Sequence, residues 1–232
     1  MSSAQRQVLW LVLFSIAMGF LETAVVVYLR QLYYPNGFQF PLITMSPYVG
    51  LIEVLREAAT VIMLLGVGIL AGRTMNQRLA FFVAAFAIWD LSYYVFLKII
   101  LGWPESWLTW DILFLIPVPW IGPVLSPCLV CLTMLLFSAA LYLRDKENNS
   151  HRLSNKEWTL ILAGCVIVVL SWTLEFLSYA SSGEVDQAQA LSMFIPQNFN
   201  WWLFAVGEAL ILAAIVIFWR RTRPLQASNA VV

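Results

Sequence analysis

Residues 48–71 read YVGLIEVLREAATVIMLLGVGILA, and only three of these 24 residues are charged. In an α-helix, 24 residues extend about 36 Å at 1.5 Å per residue. That length exceeds the roughly 30 Å hydrocarbon layer of a bilayer, which about 20 mostly apolar residues can cross. The stretch therefore predicts a transmembrane helix, and its three charges lie inside the span.

Five further apolar runs of similar length accompany this one. Of the 232 residues, 61% are hydrophobic and only 11% are charged, whereas a soluble domain carries about a quarter charged residues. The mean hydropathy is +0.81. We therefore predict an all-α integral membrane protein with one polytopic domain over residues 1–232. The six predicted spans cover residues 8–29, 48–71, 79–100, 124–143, 158–179 and 199–219.

The composition also excludes several classes of function. This apolar balance is incompatible with a water-soluble enzyme or a disordered chain. Thirteen Lys and Arg residues balance thirteen Asp and Glu residues, so no basic excess attracts a polyanion. We expect the lipid bilayer as a partner and no nucleic acid.

The distribution of Lys and Arg predicts the orientation. With the N-terminus inside, ten of these residues fall in cytoplasmic segments and only Arg30 and Lys98 lie toward the outer side, Lys98 at the outer end of the third span. Arg56 lies within the second span. Cytoplasmic loops carry the excess of Lys and Arg in membrane proteins. We predict a multi-pass cell-membrane protein with both termini in the cytoplasm.

One connection between spans differs from the others. Residues 103–122 are largely apolar, but their continuous apolar part is too short to cross a bilayer, and Pro117 and Pro119 interrupt any helix. Non-helical backbone at membrane depth persists only when it is buried in protein or faces water. We therefore predict a re-entrant or interfacial element between helices 3 and 4 that covers a cavity.

Three sites carry the signature of a helix start. Ser46-Pro47 and Ser126-Pro127 each place a capping hydroxyl before a first-turn proline. Ser154 with Glu157 has the spacing of a capping box at the start of the fifth span.

Six acidic residues lie inside the predicted spans, where only Arg56 and Lys98 are basic. An ionised side chain at mid-bilayer costs roughly 2.5–3.5 kcal/mol on insertion scales. The six fall in the middle or outer part of the bilayer at 1.5 Å per residue, so a water-accessible cavity that opens outward is expected. These acids are Glu22, Glu53, Glu57, Asp90, Glu175 and Glu208.

Arg56 shares one side of its helix with Glu53 and Glu57, because residues three and four apart are neighbours on a helix. One interpretation is a structural ion pair that fixes the second helix against its neighbours, including Glu22 or Glu175. The other is that Arg56 holds an anionic group or tunes a neighbouring carboxylate. Both interpretations stay open.

Aromatic residues accompany two of the acids. Trp89 precedes Asp90, Tyr94 follows one turn later, and Trp172 lies one turn before Glu175. Aromatic faces beside carboxylates suit an organic cation. The alternative is that each ring packs in the core or anchors the membrane interface.

Cys128-Leu-Val-Cys131 lies at the start of the fourth span. Over this one turn it resembles the redox helix of the vitamin K epoxide reductase family, which implies a reducible thiol pair. The four-helix pattern of that family is absent, and Cys165 is the one other cysteine of the sequence. The favoured interpretation is two small apolar residues in a helix.

The sequence predicts no cofactor and no metal site. Its single histidine, His151, falls in a charged cytoplasmic loop, so haem or zinc ligation by histidine inside the membrane is excluded. A site built from carboxylates alone would favour hard cations such as Mg²⁺.

Three hypotheses for the function stay open. We favour a transporter or binding protein whose outward-facing, carboxylate-rich cavity takes a small cationic or proton-coupled solute. The first alternative is a membrane enzyme that acts on a lipid or quinone at the outer leaflet through paired carboxylates, or less plausibly through Cys128 and Cys131. The second is a structural or assembly subunit of a membrane complex.

An approach of Asp111 to Arg56 and Glu57 would favour the enzyme. A homo-oligomer or a partner membrane subunit is compatible with a chain of this size. The predicted ligand-binding residues are Glu22, Glu53, Arg56, Glu57, Trp89, Asp90, Tyr94, Asp111, Trp172, Glu175 and Glu208.

Overall fold

The computed structural model describes residues 1–146, 152–182 and 187–223, so the predicted loop position of His151 lies outside the described residues. The chain is 75% helical, and six helices are long and apolar enough to span a membrane. The prediction of an all-α membrane protein with six such helices is confirmed. The elements are α1 (Ser3–Tyr33), α2 (Pro47–Ala71), α3 (Met75–Leu101), β1 (Trp110–Phe114), β2 (Trp120–Pro123), α4 (Leu125–Lys146), α5 (Asn155–Ser182), α6 (Gln187–Met193) and α7 (Trp201–Arg221).

Several helices extend beyond the predicted spans because polar caps start them. Helix α1 begins at Ser3 rather than residue 8, where the Ser2 hydroxyl accepts from the Gln5 N–H at 3.2 Å and the Gln5 side chain accepts from the Ser2 N–H at 2.7 Å. At the start of α3, the Thr74 hydroxyl accepts from the Gln77 N–H at 3.1 Å. Hydropathy does not detect these first turns, because they are polar and are stabilised by side-chain oxygens that accept hydrogen bonds from their N–H groups.

Two of the three predicted helix starts are confirmed. The Ser46 hydroxyl caps α2 with Pro47 in its first turn, and Ser154 and Glu157 form reciprocal hydrogen bonds at the start of α5. The prediction for Ser126 is wrong, because α4 already begins at Leu125. The Ser126 hydroxyl instead donates to the Pro123 carbonyl at 2.8 Å and accepts from the Trp172 ring N–H at 2.8 Å.

Strands β1 and β2 form an antiparallel hairpin, residues 110–123, which we call the hairpin. Asp111 pairs with Gly122 and Ile112 with Ile121, and the register is irregular between Ile112 and Phe114. The strands are too short to form a sheet that is stable alone. Packing inside the helix bundle therefore holds the hairpin.

The hairpin contacts helices on two sides. Trp120 of β2 stacks on Trp172 of α5 with ring centroids 5.5 Å apart. Phe114 packs against the buried cluster that contains Trp89 of α3. Trp89 lies twelve residues before the end of α3, which is about 18 Å along the helix. The hairpin thus reaches well into the bundle. We call the end of the bundle that contains the hairpin the hairpin end.

Small residues set the closest helix contacts. In α5 and α7, a Cβ on Gly164 would lie 2.7 Å from the Gly207 carbonyl oxygen, and a Cβ on Gly207 would lie 2.9 Å from the Gly164 carbonyl oxygen. A Cβ on Gly68 of α2 would lie 2.7 Å from the Phe82 nitrogen of α3. Small residues allow transmembrane helices to pack backbone against backbone.

The opposite end of the bundle is tied by polar contacts. Arg221 of α7 donates to both carboxylate oxygens of Glu157 at 2.9 Å, and the Gln77 amide donates to Asp145 at 2.7 Å. These contacts join α5 to α7 and α3 to α4 away from the hairpin.

Candidate functional site

A cavity of about 490 Å³ lies at the hairpin end, between α1, α2, β1 and the loop that connects α1 to α2. We call it the main cavity. Its walls are largely apolar and include Leu29, Leu42, Ile112 and Leu115. The charged residues that line it are Arg30, Glu53, Arg56, Glu57 and Asp111.

Arg56 joins two helices at the deep side of this cavity. Its Nε donates to the Glu53 carboxylate at 2.9 Å, one turn earlier on α2. Its Nη1 donates to the Glu22 carboxylate of α1. The side chains keep 20% exposure for Arg56, 12% for Glu22 and 9% for Glu53, so this ion cluster borders the cavity rather than open solvent.

Glu57 connects α2 to the hairpin. Its Oε2 accepts a hydrogen bond of 2.9 Å from the backbone N–H of Leu115, just beyond the end of β1. Glu57 lies ten residues after the start of α2, about 15 Å along the helix. The hairpin backbone therefore supplies a donor to a carboxylate deep in the bundle.

A second, smaller space of about 60 Å³ adjoins the main cavity and shares Arg56, Glu57 and Tyr93 with it. We call it the polar chamber. Glu22, Trp89 and Asp90 also line it. The Trp89 ring N–H is buried and has no hydrogen-bond partner among the described residues. The chamber has room for one or two water molecules, which need polar partners of this kind.

Asp111 of β1 forms a third polar group at the cavity wall. Its Oδ1 lies 3.4 Å from Nη2 of Arg30, and its Oδ2 accepts from the Tyr94 hydroxyl at 3.2 Å. Burial raises the pKa of Asp111 from 3.8 to about 6, because desolvation outweighs the opposing effects of Arg30 and of the hydrogen bond from Tyr94.

The structure brings eight of the eleven predicted site residues into this region. Seven line the main cavity or the polar chamber, and Tyr94 joins them through Asp111. The seven are Glu22, Glu53, Arg56, Glu57, Trp89, Asp90 and Asp111.

The other three predicted site residues lie elsewhere. Trp172 supports β2 and donates to Ser126. Glu175 accepts from the backbone N–H groups of Gln197 and Asn198 at 2.8 and 3.2 Å, ahead of α7. Glu208 of α7 accepts from the Thr133 hydroxyl at 2.5 Å. None of the three lines the main cavity or the polar chamber.

Sequence reasoning missed Arg30 as a residue of this region. In the sequence, Arg30 contributes only to the prediction of orientation. The structure buries it to 8% exposure and pairs it with Asp111, which is 81 positions away in the chain. One signal was available, since Arg30 lies within eight residues of the aromatic Tyr33, Tyr34 and Phe38.

The two cysteines of the predicted thiol pair are buried and free. The Cys131 thiol donates to the Asp90 carboxylate at 3.2 Å. In the part of the chain that the structure describes, no group of three or more His, Cys, Asp or Glu residues has the arrangement to hold a metal ion.

Comparisons with protein-family models, with curated proteins and with solved structures found no match for this chain.

Proposed function

We propose that this protein binds a small organic cation with an apolar body in the main cavity, as the binding step of transport. The supporting observation is the charge balance of the main cavity and the polar chamber. Two guanidinium groups, Arg30 and Arg56, face five carboxylates. The acids exceed the guanidinium groups by three, so positively charged ligand groups and protons together are needed to complete the balance. The five acids are Glu22, Glu53, Glu57, Asp90 and Asp111.

The walls of the main cavity favour an amphipathic ligand. Small-molecule sites usually occupy about 300–1,000 Å³ and combine apolar walls with a few polar groups, and the main cavity has this size and composition. Leu42, Ile43 and Met45 can pack against an apolar ligand body, while Glu53 and Glu57 attract its charged group. The aromatic ring of Tyr93 adds a favourable surface for a cation.

We further propose that the hairpin end faces outward and that the hairpin is re-entrant. The excess of Lys and Arg at the opposite ends of the six spans supports this orientation. The depth of the contact between Leu115 and Glu57 supports a re-entrant hairpin, because its backbone is then buried in protein at membrane depth.

The sharpest test replaces Glu57 by glutamine. Loss of one carboxylate at a partly buried charged site is expected to weaken cation binding by about tenfold or more. Hexyltrimethylammonium is a suitable probe, with hexanol as its uncharged counterpart, and isothermal titration of protein in nanodiscs measures both. We expect Glu57→Gln and Asp90→Asn to lose binding of the cation while thermal unfolding shows an intact fold.

Glu175→Gln provides the matched control, because Glu175 lies at the same end of the bundle but lines neither the main cavity nor the polar chamber. It is expected to bind the cation as the wild type does. Equal losses in Glu57→Gln and Glu175→Gln would contradict the proposal. Loss of the folded protein in both Glu57→Gln and Asp90→Asn would indicate a packing role instead.

A second candidate is a membrane enzyme that acts on a lipid at the outer leaflet. It is favoured by one observation: Asp111, Arg56 and Glu57 line the same cavity. Two carboxylates in different surroundings can serve as general acid and base.

Mass spectrometry of membrane lipids incubated with the reconstituted protein distinguishes the two candidates. The enzyme predicts a lipid product that the wild type forms and Glu57→Gln does not. Binding of hexyltrimethylammonium without such a product is expected from a transport or binding protein.

A further inference from the structure

A third space, of about 460 Å³, lies between the C-terminal ends of α1 and α3. We call it the interfacial cavity. Its lining includes Arg30, Gln31, Phe38, Leu101, Trp103 and Glu105. Arg30, Tyr34 and Phe38 line both this cavity and the main cavity, so they form the wall between the two.

The Arg30 guanidinium is built into this wall between two aromatic rings. Its central carbon lies 3.8 Å from the ring centroid of Trp103 and 4.5 Å from that of Phe38. Rings at this distance favour a cation and fix its orientation. The two rings stabilise the positive charge of Arg30, but they have no oxygen atom that could accept a hydrogen bond from its N–H groups.

The hydrogen bonding of Arg30 is incomplete. Its Nη2 reaches Asp111 at 3.4 Å, longer than the 2.7–2.9 Å that is usual for a charge-assisted bond. Its Nη1 is buried without a hydrogen-bond partner among the described residues. An unpartnered buried donor costs free energy, more so when it carries a charge. A ligand that supplies an oxyanion removes this penalty.

Asp111 competes only weakly with a ligand oxyanion for the Arg30 guanidinium. Its second oxygen is taken by the Tyr94 hydroxyl, and burial raises its pKa to about 6. The carboxylate that balances the charge of Arg30 therefore lies farther than usual from the guanidinium and also accepts a hydrogen bond from Tyr94.

The interfacial cavity lies at the ends of two helices that are long and apolar enough to span a membrane, where lipid headgroups are expected. Arg30 lies three residues before the end of α1, about 4.5 Å along the helix. Tyr34 and Trp103 stand beside it, and Tyr and Trp concentrate where the bilayer meets water. Leu101 and Phe38 offer apolar contact to an attached chain. The acidic Glu105 is exposed, where water screens its charge.

We propose that the interfacial cavity binds the phosphate group of a membrane lipid through Arg30. The guanidinium fork suits a bidentate contact with a phosphate, in which a phosphate oxygen would give the buried Nη1 its missing partner. The lipid phosphate is a ligand separate from the cation proposed for the main cavity. Its binding does not require Glu57.

Native mass spectrometry of the full chain in dodecyl maltoside tests the site, with dodecyl phosphate as the lipid probe and inorganic phosphate as the free-ion probe. We expect Arg30→Gln to weaken binding of dodecyl phosphate by about tenfold or more. Arg30→Lys keeps a positive charge for Asp111 but lacks the planar fork, so it is expected to fold and to bind with intermediate affinity.

Lys98→Gln is the matched control, since it removes one positive charge at the same end of α3. The Lys98 ammonium already donates to the carbonyls of Gly102 and Pro104 and does not line the interfacial cavity. Binding of dodecyl phosphate is expected to change less than twofold in Lys98→Gln and in Glu57→Gln. Equal weakening in Arg30→Gln and Lys98→Gln would overturn the proposal, because general charge attraction would then explain the binding.

The two probes distinguish the sources of phosphate. Arg30-dependent binding of dodecyl phosphate that exceeds binding of inorganic phosphate by at least tenfold supports a lipid. Equal affinity for the two probes would overturn the lipid as the ligand. Full affinity of Arg30→Lys for dodecyl phosphate would overturn the bidentate contact and with it the assigned role of Arg30.

Discussion

Replacing Arg56 by methionine is expected to destabilise the folded protein strongly. Arg56 is the cation that joins the carboxylates of Glu22 and Glu53, which belong to different helices. Removal of one partner from a buried ion pair costs about 3–5 kcal/mol, because the other charge stays buried without compensation. That is a large share of the roughly 5–15 kcal/mol that stabilises a typical folded protein. Size-exclusion profiles and thermal unfolding of the purified variant measure the loss.

A triple variant distinguishes lost charge from lost packing. Arg56→Met combined with Glu22→Gln and Glu53→Gln contains no uncompensated charge in this cluster. Replacement of a complete buried ion cluster by neutral groups is often tolerated, so we expect the triple variant to recover most of the folded protein. A triple variant no more stable than Arg56→Met alone would show that the shape of Arg56, rather than its charge, holds α1 and α2.

Gly207→Leu is expected to separate α5 from α7. A Cβ at this position would lie 2.7 Å from Cγ2 of Val168 and 2.9 Å from the Gly164 carbonyl oxygen. The second contact is with backbone, which cannot rotate away as a side chain can. Overpacking of this kind commonly costs 1–3 kcal/mol and sometimes more, and leucine adds three further carbons to the clash. We expect a fall in unfolding temperature and a large aggregated fraction.

Gly66→Leu is the matched control for this substitution. A Cβ on Gly66 of α2 meets no atom within 4 Å. The same leucine is therefore expected to leave the unfolding temperature nearly unchanged. Similar damage from Gly66→Leu and Gly207→Leu would contradict the close backbone contact between α5 and α7.

The helices could be predicted from the sequence because each apolar run is long enough to cross a bilayer. Their ends could not be placed by hydropathy, since Ser2 and Thr74 start helices through hydrogen bonds that hydropathy does not register. Pro117 and Pro119 predicted a non-helical element between α3 and α4. The pairing of Asp111 with Gly122 could not be predicted from the sequence, because the register of such a short hairpin depends on its packing against the surrounding helices.

Spacing along one helix predicted one contact of the candidate site directly, whereas depth in the membrane left Glu22 and Glu175 as alternative partners from other helices. Glu53 and Arg56 are three residues apart on α2, and this spacing indicated their contact. Glu22 reaches the same guanidinium from another helix. Depth along a helix can be counted in residues, but rotation about its axis depends on packing. Glu208 therefore shares the depth of the site and yet faces Thr133.

The hairpin also links two parts of the bundle thermodynamically. Trp120 and Trp172 hold β2 on α5, while Leu115 reaches α2 through a single hydrogen bond to Glu57. A molecule that displaces the Leu115 N–H from Oε2 of Glu57 competes with that backbone donor. By reciprocity, whatever strengthens the attachment of the hairpin to α2 must weaken the affinity of the competing molecule by the same factor.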